Sequence, residues 1–280
     1  MIEDEEFWAE WDRLGAEQAK IIKVALPADW LFEGRRTLDF GCGSGRTLRH
    51  LIPEAESSEM WGCDIHTESI EWLDQHLSPP FHFFSVGTPP LLPQPDGYFD
   101  FVWAMSVFTH ITDHWSSWLV ELHRVLAPGG LALVSFLGEG MSGPLVGESW
   151  NPDRVGMNVL RAGQSWDGGG PVVFHSEWWL RAHWGRAFDI VWIHDHPQGH
   201  GLAFLTKRDV TVSSSDLEMP EPGEPREILA LQHNIAQLHR EEVALRRELE
   251  AANLRQAAGV NAESEHSPGW LRRRKTRGSS

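Results

Sequence analysis

The stretch TLDFGCGSGRTL, residues 37–48, decides how the rest of the chain is read. A short apolar run ends on Asp39, and Gly41, Gly43 and Gly45 follow at alternate positions. Glycine adopts backbone angles and allows close approaches that a Cβ forbids, so three of them directly after a strand predict a tight turn wrapped around a ligand. That mechanism requires a strand–turn–helix setting, and the pattern supplies one if a helix begins at Ser44.

Outward from this turn, apolar strand-like runs alternate with amphipathic ones: EMWGCD, a helix from Thr67, FHFFS, YFDFVWAM, a helix capped by Asp113, then GLALVSFL. Such alternation predicts βαβ units and hence an α/β fold, a mostly parallel sheet with helices on both faces. Residues 1–34 hold a helix, with Phe7, Trp11 and Leu14 at helical spacing, that packs on this domain and is ended by Pro27. The domain itself spans 35–210. Within it, the Gly-, Pro- and Trp-rich stretch 138–175 is too long for a plain connection and reads as a functional insertion. Residues 211–227, rich in Ser, Pro and Glu, read as a linker. In the segment 228–256, Ile228, Leu231, Ile235, Leu238, Leu245 and Leu249 fall on alternating spacings of three and four with Glu242 in one core slot. That is a coiled-coil pattern, through which the chain meets a second copy or a partner protein. A lone helix folded back on the domain is the alternative. Residues 257–280, ending in the basic run Arg272 to Lys275, read as a disordered tail.

A formal charge of −16 over 280 residues argues against nucleic acid as a partner, because phosphate binding needs clustered Lys and Arg. The two cysteines form no framework of spaced pairs, the opening MIEDEEFW lacks signal-peptide character, and no apolar run approaches the roughly 20 residues of a membrane span. The expectation is a soluble, cytoplasmic protein with no transmembrane segment. Fifteen tryptophans stand against one tyrosine. Trp8, Trp11, Trp72, Trp115, Trp118 and Trp192 fall on apolar faces and are assigned to the core, whereas Trp150, Trp166, Trp178 and Trp179 in or beside the insertion are candidates to stack on an acceptor.

In an open parallel sheet, ligands bind beyond the carboxyl ends of the strands, so chemistry is sought there. Asp64 ends the second strand-like run, where a carboxylate can accept both hydroxyls of a ribose. The dinucleotide fingerprint is GxGxxG beside a pyrophosphate. Here the spacing is GxGxG, and Asp39 just before it would repel a pyrophosphate but suits a ligand carrying an ammonium group. An NAD(P)-dependent oxidoreductase is therefore the weaker reading.

These pieces resemble the class I S-adenosylmethionine-dependent methyltransferases. LDFGCGSGRTL, GCDIH, PPLLPQPDGYFDFVWAMSVFTHI and LHRVLAPGGLALVSF occur in the family's order and separation across roughly residues 35–210. The resemblance implies a Rossmann-like seven-stranded sheet with an antiparallel last strand. It also implies that Asp39 and the loop Gly41, Cys42, Gly43 and Gly45 hold the methionine end of S-adenosylmethionine and Asp64 the ribose, with Ile65, Gly87 and Met105 among the other cofactor contacts. Many relatives carry an Asp or Asn after the third strand for the adenine. This chain has FSVGTPP instead, leaving Val86, Gly87 or backbone groups to substitute.

Methyl transfer asks the protein to align a nucleophile, exclude water and, for a hydroxyl, accept its proton. Candidate bases are His110 and His114 after the fourth strand and His175 at the end of the insertion. His194, His196 and His200 in the segment HDHPQGH read as a polar hairpin tip, with a metal site as the less favoured reading. The expected reaction is methylation, at oxygen, of a small-molecule or glycan-type acceptor. A methyltransferase domain followed by a coiled coil and the ending SPGWLRRRKTR also resembles bacterial surface-polysaccharide proteins. The non-catalytic alternative is a cofactor-binding assembly protein.

Overall fold

The computed structural model describes residues 5–146, 150–165, 169–197 and 199–265, with side chains described to residue 256. Trp166 and the basic tail lie outside these residues. Two compact units divide the chain after Leu231.

The first unit is built on seven strands. They are β1 (Arg36–Phe40), β2 (Glu59–Asp64), β3 (His82–Ser85), β4 (Phe99–Ala104), β5 (Leu126–Phe136), β8 (Phe188–His194) and β9 (Gly201–Lys207). Their order is β3-β2-β1-β4-β5-β9-β8, and only β9 runs against its neighbours. The sheet therefore matches the Rossmann-like expectation, including the antiparallel last strand.

Period-two alternation assigns the two faces. Along β4, Phe101 and Trp103 enter one core with Leu133 and Phe204, while Val102 and Ala104 enter the other with Ala132 and Val134. Helices α1 (Glu5–Ala25), α2 (Ile52–Ala55) and α3 (Thr67–Leu77) cover the first core. Helices α4 (Trp115–Val125), α6 (Glu177–His183) and α7 (Ser214–Glu218) cover the second. Removing an aromatic such as Trp103 or Trp184 from water contributes roughly 2–3 kcal/mol, and both are wholly buried.

Several expectations are corrected. The face α1 buries is Gly15, Ala19 and Ile22, not Phe7, which is exposed. Trp8 and Trp72 are exposed as well, whereas Trp115 and Trp118 are buried. No regular helix starts at Ser44: turns lead to a single 3-10 turn at Leu48–His50 and the one-turn α2, with Pro53 in its first turn. The residue capping α4 is His114, not Asp113.

The stretch 211–227 is an ordered, docked segment. Ser213 and Asp216 form a reciprocal capping box on α7, and Leu217 beneath it is wholly buried. His183 bridges the Leu217 carbonyl and the Glu227 carboxylate, at 2.6 and 2.9 Å. Inside the insertion, α5 (Ser142–Val146) precedes an antiparallel pair, β6 (Met157–Leu160) and β7 (Val172–His175).

From residue 232 on, helix α8 (Arg226–Glu265) makes up the described part of the second unit. Ile235, Leu238, Leu245 and Leu249 are exposed on it, and Glu242 pairs with Arg246 at 2.6 Å.

Candidate active site

The carboxyl edge of β1, β2, β4 and β5 carries the site. After Phe40 the chain turns through Gly41, Gly43 and Gly45, all with positive φ (83°, 55° and 75°), which a Cβ disfavours. The three glycines answer to different neighbours. A Cβ on Gly41 would lie 2.3 Å from Val107, and one on Gly45 would lie 2.5 Å from Leu73 of α3. At Gly43 a Cβ meets nothing within 4 Å. Two glycines therefore admit the protein's own side chains, and only Gly43 turns its backbone to open space. Beneath the loop, Cys42 and Cys63 are buried, which drives both thiol pKa values up and leaves them unreactive.

Asp39 sits under this turn. It is 3% exposed, and burial lifts its carboxyl to about 7; the nearby Asp64 charge adds to the rise, while the Trp103 indole and Arg46 oppose it. A carboxylate so placed is short of positive charge, and a ligand ammonium would supply it. Asp39 lines a hollow of about 230 Å³ with Gly41, Cys42, Gly43, Met105 and Ser106, closed on one side by Trp11 and Gln18 of α1. Gln18 accepts the Thr47 hydroxyl at 2.9 Å, and a Cβ at Gly15 would stand 2.2 Å from the Arg46 carbonyl, so helix and loop are in direct contact.

Asp64 ends β2. One of its oxygens accepts the Gly43 N–H at 2.8 Å and the other accepts the His66 N–H at 2.9 Å. A carboxylate oxygen has two lone pairs, so both retain capacity for hydroxyl donors. Asp64, Ile65, Val86, Gly87 and Thr88 line a second, mainly apolar hollow of about 500 Å³, with Trp118 and His110 also in its lining. Gly41 and Ser106 are common to both hollows.

The three candidate bases separate. His110 lines the larger hollow, and its Nδ1 donates to the Pro171 carbonyl at 2.7 Å. A carbonyl only accepts, so the ring is held as the tautomer whose lone pair is on Nε2. His114 is exposed at the head of α4. His175 is corrected from rim to core: it is wholly buried between Trp179 and Trp184, without a hydrogen-bond partner on either nitrogen, and burial pushes its pKa down to about 3. Trp178 and Trp179 are likewise core residues. Trp178 donates to the Pro152 carbonyl at 2.8 Å, and Trp179 stacks on His183.

Sequence reasoning passed over Ser106 and Ser135 and assigned Trp11, which lines the smaller hollow, to the core. Ser106 holds a φ of 62°, and its N–H donates to the Ser135 Oγ at 2.6 Å. A lone buried serine in the apolar run ALVSF was the available signal. Among the described residues no three His, Cys, Asp or Glu side chains converge as a metal site requires.

Comparison with known proteins agrees with this geometry. Residues 38–134 match the sequence model of a methyltransferase domain family. The chain is 32% identical over 125 residues to a 2-methyl-6-phytyl-1,4-hydroquinone methyltransferase of Synechocystis, covering 42% of this chain and 38% of that one. It is 33% identical over 114 residues to the 27-O-demethylrifamycin SV methyltransferase of Amycolatopsis mediterranei, covering 37% and 39% respectively. The matched region thus spans well under half the length of these relatives. Among solved structures, a Pyrococcus horikoshii protein shares the fold with a TM-score of 0.51 at 16% identity, over 74% of this chain and 93% of that one. An S-adenosylmethionine-dependent methyltransferase of Mesorhizobium loti does so with a TM-score of 0.51 at 16% identity, over 67% and 96%. Residues 38–134 are thus similar to a methyltransferase domain, set in a sheet that has the fold of a solved S-adenosylmethionine-dependent methyltransferase.

Proposed function

We propose that this protein moves a methyl group from S-adenosylmethionine to an oxygen of a small-molecule or glycan-type acceptor. The observation that carries the reading is Asp39, a buried carboxylate with a raised pKa under an open backbone at Gly43. It is complementary to an amino-acid ammonium and hostile to a pyrophosphate. Asp64 would hold the ribose, Ile65, Val86 and Gly87 the base, and Met105 the wall beside the methionine chain. The sulfonium of the bound cofactor supplies an activated methyl.

The chain's own part is positioning and proton removal. Trp11 and Gln18 narrow the smaller hollow and limit water, and Trp118 offers the larger one an apolar face. His110, fixed by Pro171, presents its Nε2 lone pair as a general base for an acceptor hydroxyl. His114 is the weaker candidate. Relatives whose names state O-methylation, such as a fatty-acid O-methyltransferase of Mycolicibacterium smegmatis at 31% identity over 101 residues, favour oxygen as the site of transfer. The test is tritiated-methyl transfer into fractionated host extract. A labelled small molecule or glycan is expected, and His110→Ala should lower its formation roughly 100-fold. Label in protein or nucleic acid alone would overturn the acceptor class.

We further infer that α8 pairs with a second copy of the chain. Its exposed Ile and Leu stripe at three-four spacing, flanked by Glu and Arg, is a coiled-coil seam. Light scattering on the full chain should give a dimer or higher oligomer, and Leu238→Lys with Leu245→Lys should give a monomer that still binds cofactor.

A further inference from the structure

Among the described residues, Gly41 and Ser106 line both hollows. They are brought together because the turn after β4 packs on the glycine turn, with Val107 filling the space that a Cβ on Gly41 would need. A ligand with one end in each hollow has to pass these two residues. Gly41 has no side chain, so the side chain at the crossing is that of Ser106.

Ser106 is held there against its own preference. Its φ of 62° is left-handed, a region that a Cβ disfavours. The constraint comes from behind: its N–H donates to the Oγ of Ser135 at 2.6 Å, and Ser135 is wholly buried in β5. The Ser106 hydroxyl takes no part in this. Among the described residues its Oγ has no hydrogen-bond partner, and the residue is half-buried rather than sealed from solvent. A glycine would keep the bond to Ser135 and be free of the strain, so the fold gains nothing from the serine side chain. Strain that the surrounding structure enforces, at a cleft, points to a ligand contact.

The two hollows say what kind of contact. Asp39 in the smaller one suits an ammonium, and Asp64 in the larger one suits the hydroxyls of a ribose. In S-adenosylmethionine the atom that joins the amino-acid end to the nucleoside end is the sulfonium sulfur. A sulfonium has a full positive charge but no N–H or O–H. It is stabilised by oxygen lone pairs, through its charge and through the polarised C–H bonds beside it. A serine hydroxyl offers two lone pairs and, being neutral, is a weak nucleophile that is not itself methylated. Cys42, the stronger nucleophile in the lining of the smaller hollow, is kept as a thiol by burial.

We propose that the Ser106 hydroxyl faces the sulfonium and makes the site favour charged S-adenosylmethionine over its neutral thioether product, S-adenosylhomocysteine. This rests on the methyltransferase reading above and adds to it the residue that tells cofactor from product. The contact strengthens binding of the cofactor before transfer, so Ser106 sets selectivity and lies outside the proton path.

The experiment is titration calorimetry on the full chain without an acceptor, using S-adenosylmethionine and S-adenosylhomocysteine in turn, for the parent, Ser106→Ala and Ser106→Gly. Thermal melts accompany each protein. Ser106→Ala should lose about fivefold in affinity for S-adenosylmethionine and stay within about twofold for S-adenosylhomocysteine. Ser106→Gly should show the same loss of selectivity while melting no lower than Ser106→Ala, because it is relieved of the left-handed strain; it carries the test if Ser106→Ala does not fold. A parent that binds neither ligand would overturn the methyltransferase reading and this proposal with it. In a parent that binds both, equal losses towards the two ligands, or unchanged affinity for S-adenosylmethionine in Ser106→Gly, would overturn the proposal and leave that reading intact.

Discussion

The Asp64 carboxylate accepts the backbone N–H of Gly43 at 2.8 Å, so the side chain proposed for the ribose also fastens the loop proposed for the methionine end. One residue thus couples both halves of the cofactor site. Asp64→Ala should weaken S-adenosylhomocysteine binding about tenfold or more, because it removes the hydroxyl acceptor and releases the loop. Asp64→Asn, which keeps one acceptor oxygen, should fall between. Isothermal titration calorimetry reads the order, and equal affinity in all three proteins would place the ribose elsewhere.

Asp39 has a pKa of about 7 in the fold, raised by burial. Between the ordinary carboxyl value and that pH, the folded chain holds a proton that the unfolded chain releases. Stability from this group is therefore lost as pH rises through that window, by an amount on the order of a few kcal/mol. Asp39→Asn should melt higher than the parent at pH 8, the gain should shrink towards pH 4, and cofactor affinity should drop. Thermal melts across pH test the first part. For the parent, binding of an ammonium ligand should release a proton near pH 7, seen as a binding heat that varies with the buffer.

The glycines should separate into two classes. Gly41→Ala and Gly45→Ala place a methyl group against Val107 and Leu73, so both should lower the melting temperature. Gly43→Ala meets open space and carries only the backbone penalty, roughly 1 kcal/mol, while intruding on the ligand side. Its loss should appear mainly in S-adenosylhomocysteine affinity. Melts and calorimetry on the three variants decide this.

His175 carries a depressed pKa, about 3, because it is wholly buried. Here the sign is reversed. The unfolded chain gains a proton below the ordinary histidine pKa and the folded chain does not, so stability falls as pH drops from about 6.5 towards 3. His175→Phe should flatten that acid limb and leave cofactor binding unchanged. Loss of binding in a well-folded variant would return His175 to the site.

The elements that were legible in the sequence are those governed by short-range rules. The glycine turn, Asp39 and Asp64 are readable because glycine geometry and a strand-end carboxylate carry meaning within a few residues, and strand alternation gave the sheet. What escaped depends on which surface a residue finally meets. Trp178, Trp179 and His175 belong to a composition that reads as a rim, yet β7 turns His175 against Trp184, and α6 turns Trp179 against Trp115 and both tryptophans into the second core. The stretch 211–227 has a linker's composition, and only the buried Leu217 with its His183 bond makes it structure. Phe7 and Trp8 follow a helical stripe, but the close approach at Gly15 sets which face of α1 is covered. Ser106 and Ser135 escaped because their contact depends on a pairing between β5 and the turn after β4.

That close approach at Gly15 has a consequence for the whole cleft. With the Arg46 carbonyl occupying the place of a Cβ, the first helix cannot rotate or slide against the loop without a clash. The helix works as a mould that sets the loop's curvature before any ligand arrives. A methyl group at position 15, remote from every proposed cofactor contact, would therefore be felt as a misshapen cradle, and its cost would register at Asp39.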